Sequence, residues 1–192
     1  MVHSRYMNKT ALVWALVVAV AATGFYFLMQ YAAPATGTDT SGVEQPGHYS
    51  SEHVGVAFVY PEKYEIETRH EGEGHILTLL PKGYVAPQGG EGPATITIEE
   101  FSNAEGLPLE TFLANEPRTN FNLGGGTTTE TTVGGQPALR YAYSGLYEND
   151  AYAVAANGKV YVFATGWISQ DDPLRQELKD IISTVTFIYH AD

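Results

Sequence analysis

The sequence contains no cysteine. That excludes disulfide staples, thiol nucleophiles and thiolate metal sites, so any domain the chain forms is held by burial alone. It also excludes a lipoprotein signal, whose lipid is carried on a cysteine. Positive charge is scarce: ten Lys+Arg stand against 22 Asp+Glu, a net charge of −12 over 192 residues. Arg5 and Lys9 precede residue 11 and every acidic residue follows residue 33, which leaves a balance of −14 beyond that point. A surface of that sign argues against nucleic acid and anionic lipid as direct partners, and it suits an exported domain that must stay soluble. Charge is missing altogether from residues 11–33, ALVWALVVAVAATGFYFLMQYAA.

That uncharged run organises the chain. A hydrocarbon core about 30 Å thick needs roughly 20 helical residues, and the run is long enough to supply them. Arg5 and Lys9 lie on its N-terminal side, whereas residues 34–50 contain neither Lys nor Arg. Positive charge stays on the cytoplasmic side, and Trp14, Tyr26 and Tyr31 suit the two interfaces. The expected organisation is a cytoplasmic N-terminus at 1–10, a transmembrane anchor at 11–33, a flexible linker rich in Pro, Gly, Ser and Thr at 34–51, and an extracytoplasmic domain at 52–192. The protein is thereby expected in the cell membrane as a single-pass signal-anchor protein. The rival is a cleaved signal peptide ending near Ala33-Pro34-Ala35, although signal h-regions are shorter, about 7–15 residues. A buried core helix is a third reading. The first two both place the domain outside the cytoplasm.

The domain alternates like an antiparallel sheet. Residues 53–60, HVGVAFVY, are apolar on both faces, as in a strand covered from both sides. Residues 63–69 and 75–80 read as a hairpin joined by His70-Glu71-Gly72-Glu73-Gly74. Residues 94–101 carry Ala94, Ile96 and Ile98 inward. Pro108 opens a short helix with Leu109, Phe112 and Leu113 on one face. Residues 120–126 read as a loop, and 127–133 as an exposed, Thr-rich strand. Strands follow at 137–144, 152–156 and 160–165, the last two joined across Asn157-Gly158, a strong hairpin signal. Asp171-Asp172-Pro173 begins a helix whose apolar stripe is Leu174, Leu178, Ile181 and Ile182, running into a terminal strand at 184–189. The expected fold class is α+β: an antiparallel β-sheet covered by helices on its faces, preceded by one transmembrane helix.

Gly55-Val56-Ala57-Phe58-Val59-Tyr60-Pro61, Gly135-Gln136-Pro137-Ala138 leading into Arg140-Tyr141-Ala142-Tyr143, and Gly158-Lys159-Val160-Tyr161-Val162-Phe163 before the last helix and Thr186-Phe187-Ile188 occur in the order of the PsbP-like domain. Residues 50–189 resemble that family, whose fold is an α/β/α sandwich of the PsbP/Mog type. Tyr64 stands where the family typically has a Trp, and a membrane anchor is expected in the place of the family's chloroplast targeting region. The resemblance implies a non-enzymatic scaffold used for binding and assembly. It carries over no photosystem role and no metal ligands.

Candidate site residues are few. His70, Glu71, Glu73 and His75 place two imidazoles and two carboxylates around one turn, and could hold Zn²⁺ or a similar ion if the hairpin brings the imidazoles together. A polar turn with solvated charges is the simpler alternative. Tyr141, Tyr143, Tyr147 and Tyr152, with Tyr161, could form a ligand or partner platform, but their alternation reads mainly as core. Asn122–Thr127 lacks the Lys-Ser/Thr ending and following helix of a phosphate loop. Asp171, Asp172, Glu148 and Asp150 have no EF-hand spacing. No catalytic frame such as G-x-S-x-G occurs, and no cofactor is implied. The expected function is therefore a membrane-anchored binding or assembly module for an envelope protein partner. A small envelope hydrolase and a cation-binding accessory protein are the alternatives.

Overall fold

The computed structural model describes residues 46–86 and 92–189. The expected anchor at 11–33 lies outside them. Among the described residues no helix is long and apolar enough to cross a membrane.

Two antiparallel sheets form. The smaller has the order β1–β2–β10, from β1 (Gly47–Ser51), β2 (Val56–Tyr60) and β10 (Thr186–Phe187). The larger has seven strands: β3 (Tyr64–Glu71), β4 (Gly74–Pro81), β5 (Ile96–Ser102), β6 (Thr129–Val133), β7 (Gln136–Ser144), β8 (Glu148–Ala156) and β9 (Lys159–Trp167). Its order is β3–β4–β5–β9–β8–β7–β6, so the late strand β9 pairs with β5 at the centre. Val160, Tyr161, Val162 and Phe163 are all buried, as expected of a strand covered on both faces.

Each face of the large sheet has its own core. On one, α2 (Pro173–Thr184) and the small sheet pack Phe58, Leu178, Ile181 and Phe187 against Leu77, Ile98 and Phe163. Asp172 caps α2, its carboxylate accepting from Leu174 N at 3.1 Å, and Pro173 supplies the first turn. On the other face, α1 (Leu109–Asn115) and two 3₁₀ turns at 117–119 and 121–124 cover Phe101, Tyr141 and Val162. The arrangement is the expected α+β sandwich with a second, small sheet added to one layer.

Several boundaries differ from the sequence reading. Residues 47–51 of the expected linker form β1, because Tyr49 stacks on Phe58 of β2 with ring centroids 5.0 Å apart. The strand read from His53 starts only at Val56, since Gly55 has φ +86° and breaks the extended path. The five-residue turn read at 70–74 is a two-residue turn, Gly72-Glu73, flanked by the pair Glu71–Gly74. Gly72 has φ +63° at the first central position, as a type II′ turn requires. The terminal strand shrinks to Thr186–Phe187, paired with Ala57 and Val56.

Candidate metal centre

The tight turn at Gly72-Glu73 sets the register of everything beside it. It makes His70 of β3 and His75 of β4 directly opposed residues. The same row continues across the sheet: His75 opposes Glu100 of β5, and Glu100 opposes Tyr161 of β9. Side chains alternate between faces along a strand, so His70, His75, Glu100 and Tyr161 all project on the face that carries Leu77 and Ile98.

A third histidine arrives from the small sheet. The chain between β1 and β2 folds into a turn, closed by Gly55 N donating to Ser51 O at 2.8 Å. Tyr161 Oη donates to the Val54 carbonyl at 2.8 Å, and Lys159 Nζ donates to the carbonyls of His53 and Val54 at 3.0 and 3.2 Å. A Cβ at Gly55 would lie 2.7 Å from the Tyr161 hydroxyl, so glycine is needed both for the positive φ and for the approach. The turn so held carries His53 over the hairpin. The ring centroids are 4.7 Å apart for His53–His75, 4.3 Å for His70–His75 and 6.1 Å for His53–His70. One ring nitrogen from each histidine lies within 4.8 Å of those of the other two.

The central ring is oriented by a buried carboxylate. His75 Nδ1 lies 2.5 Å from Glu100 Oε2, and Glu100 Oε1 lies 3.0 Å from Lys159 Nζ. A carboxylate already accepting from lysine also accepts here, so Nδ1 of His75 carries the proton. In the neutral ring Nε2 then offers its lone pair. Among the described residues that Nε2 atom is buried with no hydrogen-bond partner, although an unpartnered buried polar atom normally costs about 1–3 kcal/mol. Burial and the Glu100 charge push the Tyr161 phenol well above its ordinary value, which keeps it a donor to Val54.

Three imidazoles with a carboxylate behind one of them form the donor set and second shell of a nitrogen-ligated transition-metal site. In a tetrahedral site with metal–nitrogen bonds of about 2.0–2.1 Å, ligand nitrogens stand about 3.3 Å apart. His53 and His70 are exposed and can close that gap by side-chain rotation, while His75 is fixed. Among the described residues the cluster offers nitrogen donors only, which disfavours Ca²⁺ and Mg²⁺.

The residues singled out from sequence fall in different places. His70 and His75 come together. Glu71 and Glu73 do not join them: Glu71 projects on the opposite face, its carboxylate 3.4 Å from Arg69, and Glu73 occupies the exposed turn. Glu71 also raises the Glu99 carboxyl, whose main cause of elevation is burial, with Arg118 opposing it. The tyrosines form no single platform. Tyr141 is buried under α1 and donates to the Thr119 carbonyl at 2.7 Å, with Tyr143 beside it. Tyr152 is buried on the opposite face. Tyr147 donates to the Gly92 carbonyl at 3.0 Å. Asp150 is held by Arg140 and Arg175, and Asp172 is a helix cap. His53, Glu100 and Lys159 are the members that sequence reasoning missed. Glu100 had a usable signal, since it shares the inward stripe of Ile96 and Ile98.

No protein-family profile matches the sequence, and no curated protein sequence does. Solved structures do resemble it. The solution structure of the cyanobacterial PsbP protein CyanoP from Synechocystis sp. PCC 6803 matches with a TM-score of 0.50 at 14% identity, covering 81% of this chain and 99% of that one. The fold is PsbP-like. A crystal structure from Bacteroides thetaiotaomicron VPI-5482 also matches, with a TM-score of 0.50 at 9% identity over 76% of this chain. The match covers 49% of that protein, so the chain spans about half its length. At these identities the likeness concerns the PsbP-like architecture.

Proposed function

We propose that this protein is a non-enzymatic, membrane-tethered module that presents a PsbP-like domain outside the cytoplasm and binds one transition-metal ion, zinc or copper, through His53, His70 and His75. The tether is residues 11–33, oriented by Arg5 and Lys9. The observation that carries the metal reading is the buried, unpartnered Nε2 of His75, held by Glu100 between two exposed imidazoles. This reading favours the cation-binding alternative over a purely protein-binding scaffold.

The test is calorimetric titration of full-length, chelator-stripped protein in detergent with Zn²⁺ and with Cu²⁺. One ion per chain is expected, with binding lost in His75→Ala and weakened in His70→Ala and His53→Ala. Absence of saturable binding, or binding indifferent to all three substitutions, overturns the reading. Accessibility of a cysteine placed in the domain to an impermeant thiol reagent on intact cells tests the topology; protection of that cysteine speaks against it.

A second reading, assembly with an envelope protein, is favoured by Leu146 and Ile168. They are 63% and 78% exposed beside the directly paired Glu148 and Trp167. Cross-linking in intact cells that captures one stoichiometric partner, and loses it in Leu146→Ser/Ile168→Ser, supports it. Capture that survives the double substitution removes that surface from the account.

A further inference from the structure

We infer that Lys159 is the positioning residue that gives the metal centre its third histidine ligand, an inference that rests on the metal-binding reading above. Lys159 opens β9, directly opposite Ser102 of β5 and Ala156 of β8. Its ammonium has three donors. They meet three acceptors: Glu100 Oε1 at 3.0 Å, the His53 carbonyl at 3.0 Å and the Val54 carbonyl at 3.2 Å. The first acceptor belongs to the carboxylate that orients His75. The other two belong to the turn that carries His53. One cation therefore spans the two ligands that come from different sheets, and it ties the direction of one ring to the backbone position of the other.

His70 needs no such help, because its place opposite His75 follows from the hairpin register. His53 has no strand to hold it. Its backbone is fixed from the β9 side by Lys159 and, one residue on, by the Tyr161 hydroxyl. The Glu100 side chain is 3% exposed. Buried ion pairs of this kind are poor stability devices, since apolar replacements of similar volume often serve as well. Placement is the role that the geometry leaves for it. The pair also has a chemical consequence. Lys159 neutralises Glu100, so the row brings no net charge to the centre. Selection then falls to the number and softness of nitrogen donors, which favours zinc and copper over hard cations.

The test compares wild type with Lys159→Met and Lys159→Arg in the full-length protein in detergent. Zn²⁺ titration gives affinity, and Cu²⁺ electron paramagnetic resonance counts coordinated nitrogens. Methionine fills the volume of the lysine stem and donates nothing. The expected result is a loss of affinity of about 10–100-fold, the range for second-shell partners of metal ligands. The nitrogen pattern should fall from three imidazoles to two, and His53→Ala should cost nothing further in the Lys159→Met background. If Lys159→Met does not fold, Lys159→Arg decides. The planar fork reaches Glu100 but cannot meet the two divergent carbonyls as well, so loss of the third nitrogen is expected again. Wild-type affinity and three nitrogens in a folded variant overturn this inference alone. A wild-type protein that binds neither ion overturns the metal reading and this inference with it.

Discussion

Tyr161 reaches from the central strand β9 to the carbonyl of Val54, 2.8 Å away, and so ties the middle of the large sheet to the turn of the small one. The ring itself is fully buried, so Tyr161→Phe keeps the packing and removes only the donor. The Val54 carbonyl then retains Lys159 as its remaining donor. We expect a loss of about 1–2 kcal/mol in urea denaturation, the range for a buried hydrogen bond deleted from one side. An unchanged midpoint would mean that the turn is held by Lys159 without it.

Gly74 and Gly72 make a paired prediction. A Cβ at Gly74 would lie 2.0 Å from the Glu100 carbonyl oxygen, so Gly74→Ala forces β4 and β5 apart where His75 meets Glu100. A cost of about 2–3 kcal/mol is expected, as for other overpacked sites. At Gly72 a Cβ meets nothing within 4 Å, but φ is +63°, so Gly72→Ala should cost only about 1 kcal/mol. Chemical denaturation of both variants checks the order, and the reverse order would contradict the close approach of the two strands.

Metal binding should also be visible as stabilisation. At a free Zn²⁺ concentration of about 100 Kd, linkage adds about 2.7 kcal/mol, which for a domain of this size raises Tm by roughly 5–10 °C. Glu100→Gln should shrink the shift, because a neutral amide supports His75 less well than a carboxylate, and affinity should fall about 10–100-fold. Differential scanning calorimetry with and without metal reads both. An equal shift in wild type and in a His70→Ala/His75→Ala variant would assign it to surface binding elsewhere.

Asp150 should contribute to the acid limb of stability. Burial alone would raise its carboxyl, but hydrogen bonds from Arg175 and Arg140, at 2.7 and 2.8 Å, outweigh that and hold it below the ordinary value. For a depressed carboxyl the contribution is fully present above the unfolded value of about 3.9, and it is lost as pH falls through the lower folded value. Urea midpoints measured between about pH 5 and pH 2 should therefore drop, and Asp150→Asn should flatten that drop. At pH 7 the same variant should be less stable by about 2 kcal/mol, since it breaks one partner out of a buried pair whose arginines are partly solvated. A pH profile unchanged by Asp150→Asn would place the acid sensitivity in another carboxyl.

Much of the architecture was legible from periodicity. The buried β9, the hairpin across Asn157-Gly158 and the helix opened by Asp172-Pro173 follow from local chemistry, and they are where the residues say. β1 was not legible, because GHYSS is polar and glycine-led and becomes a strand only by pairing with β2. Two of the three candidate ligands were legible, as His70 and His75 flank one turn. Reading five turn residues instead of two kept Glu71 and Glu73 beside them, whereas the true register sends Glu71 to the other face. His53 and Lys159 were invisible for a different reason. Their meeting depends on a turn of one sheet docking on a strand of another, and no local pattern carries contacts between residues 106 apart.

The order β1–β2–β10 has a mechanical consequence. A pull on the chain from the N-terminal side of residue 46 acts first on β1, whose ladder bonds among the described residues run only to β2. Gly47 is paired with Tyr60 at the open end of that hairpin and Ser51 with Val56 at the closed end, so β1 would peel one pair at a time instead of shearing as a block. Peeling would stop at the turn clasped by Lys159 and Tyr161, which is the turn that carries His53. An ion bridging His53 to His70 and His75 would reinforce that clasp, so that its presence sets how much force the domain withstands before the seven-stranded sheet is loaded at all.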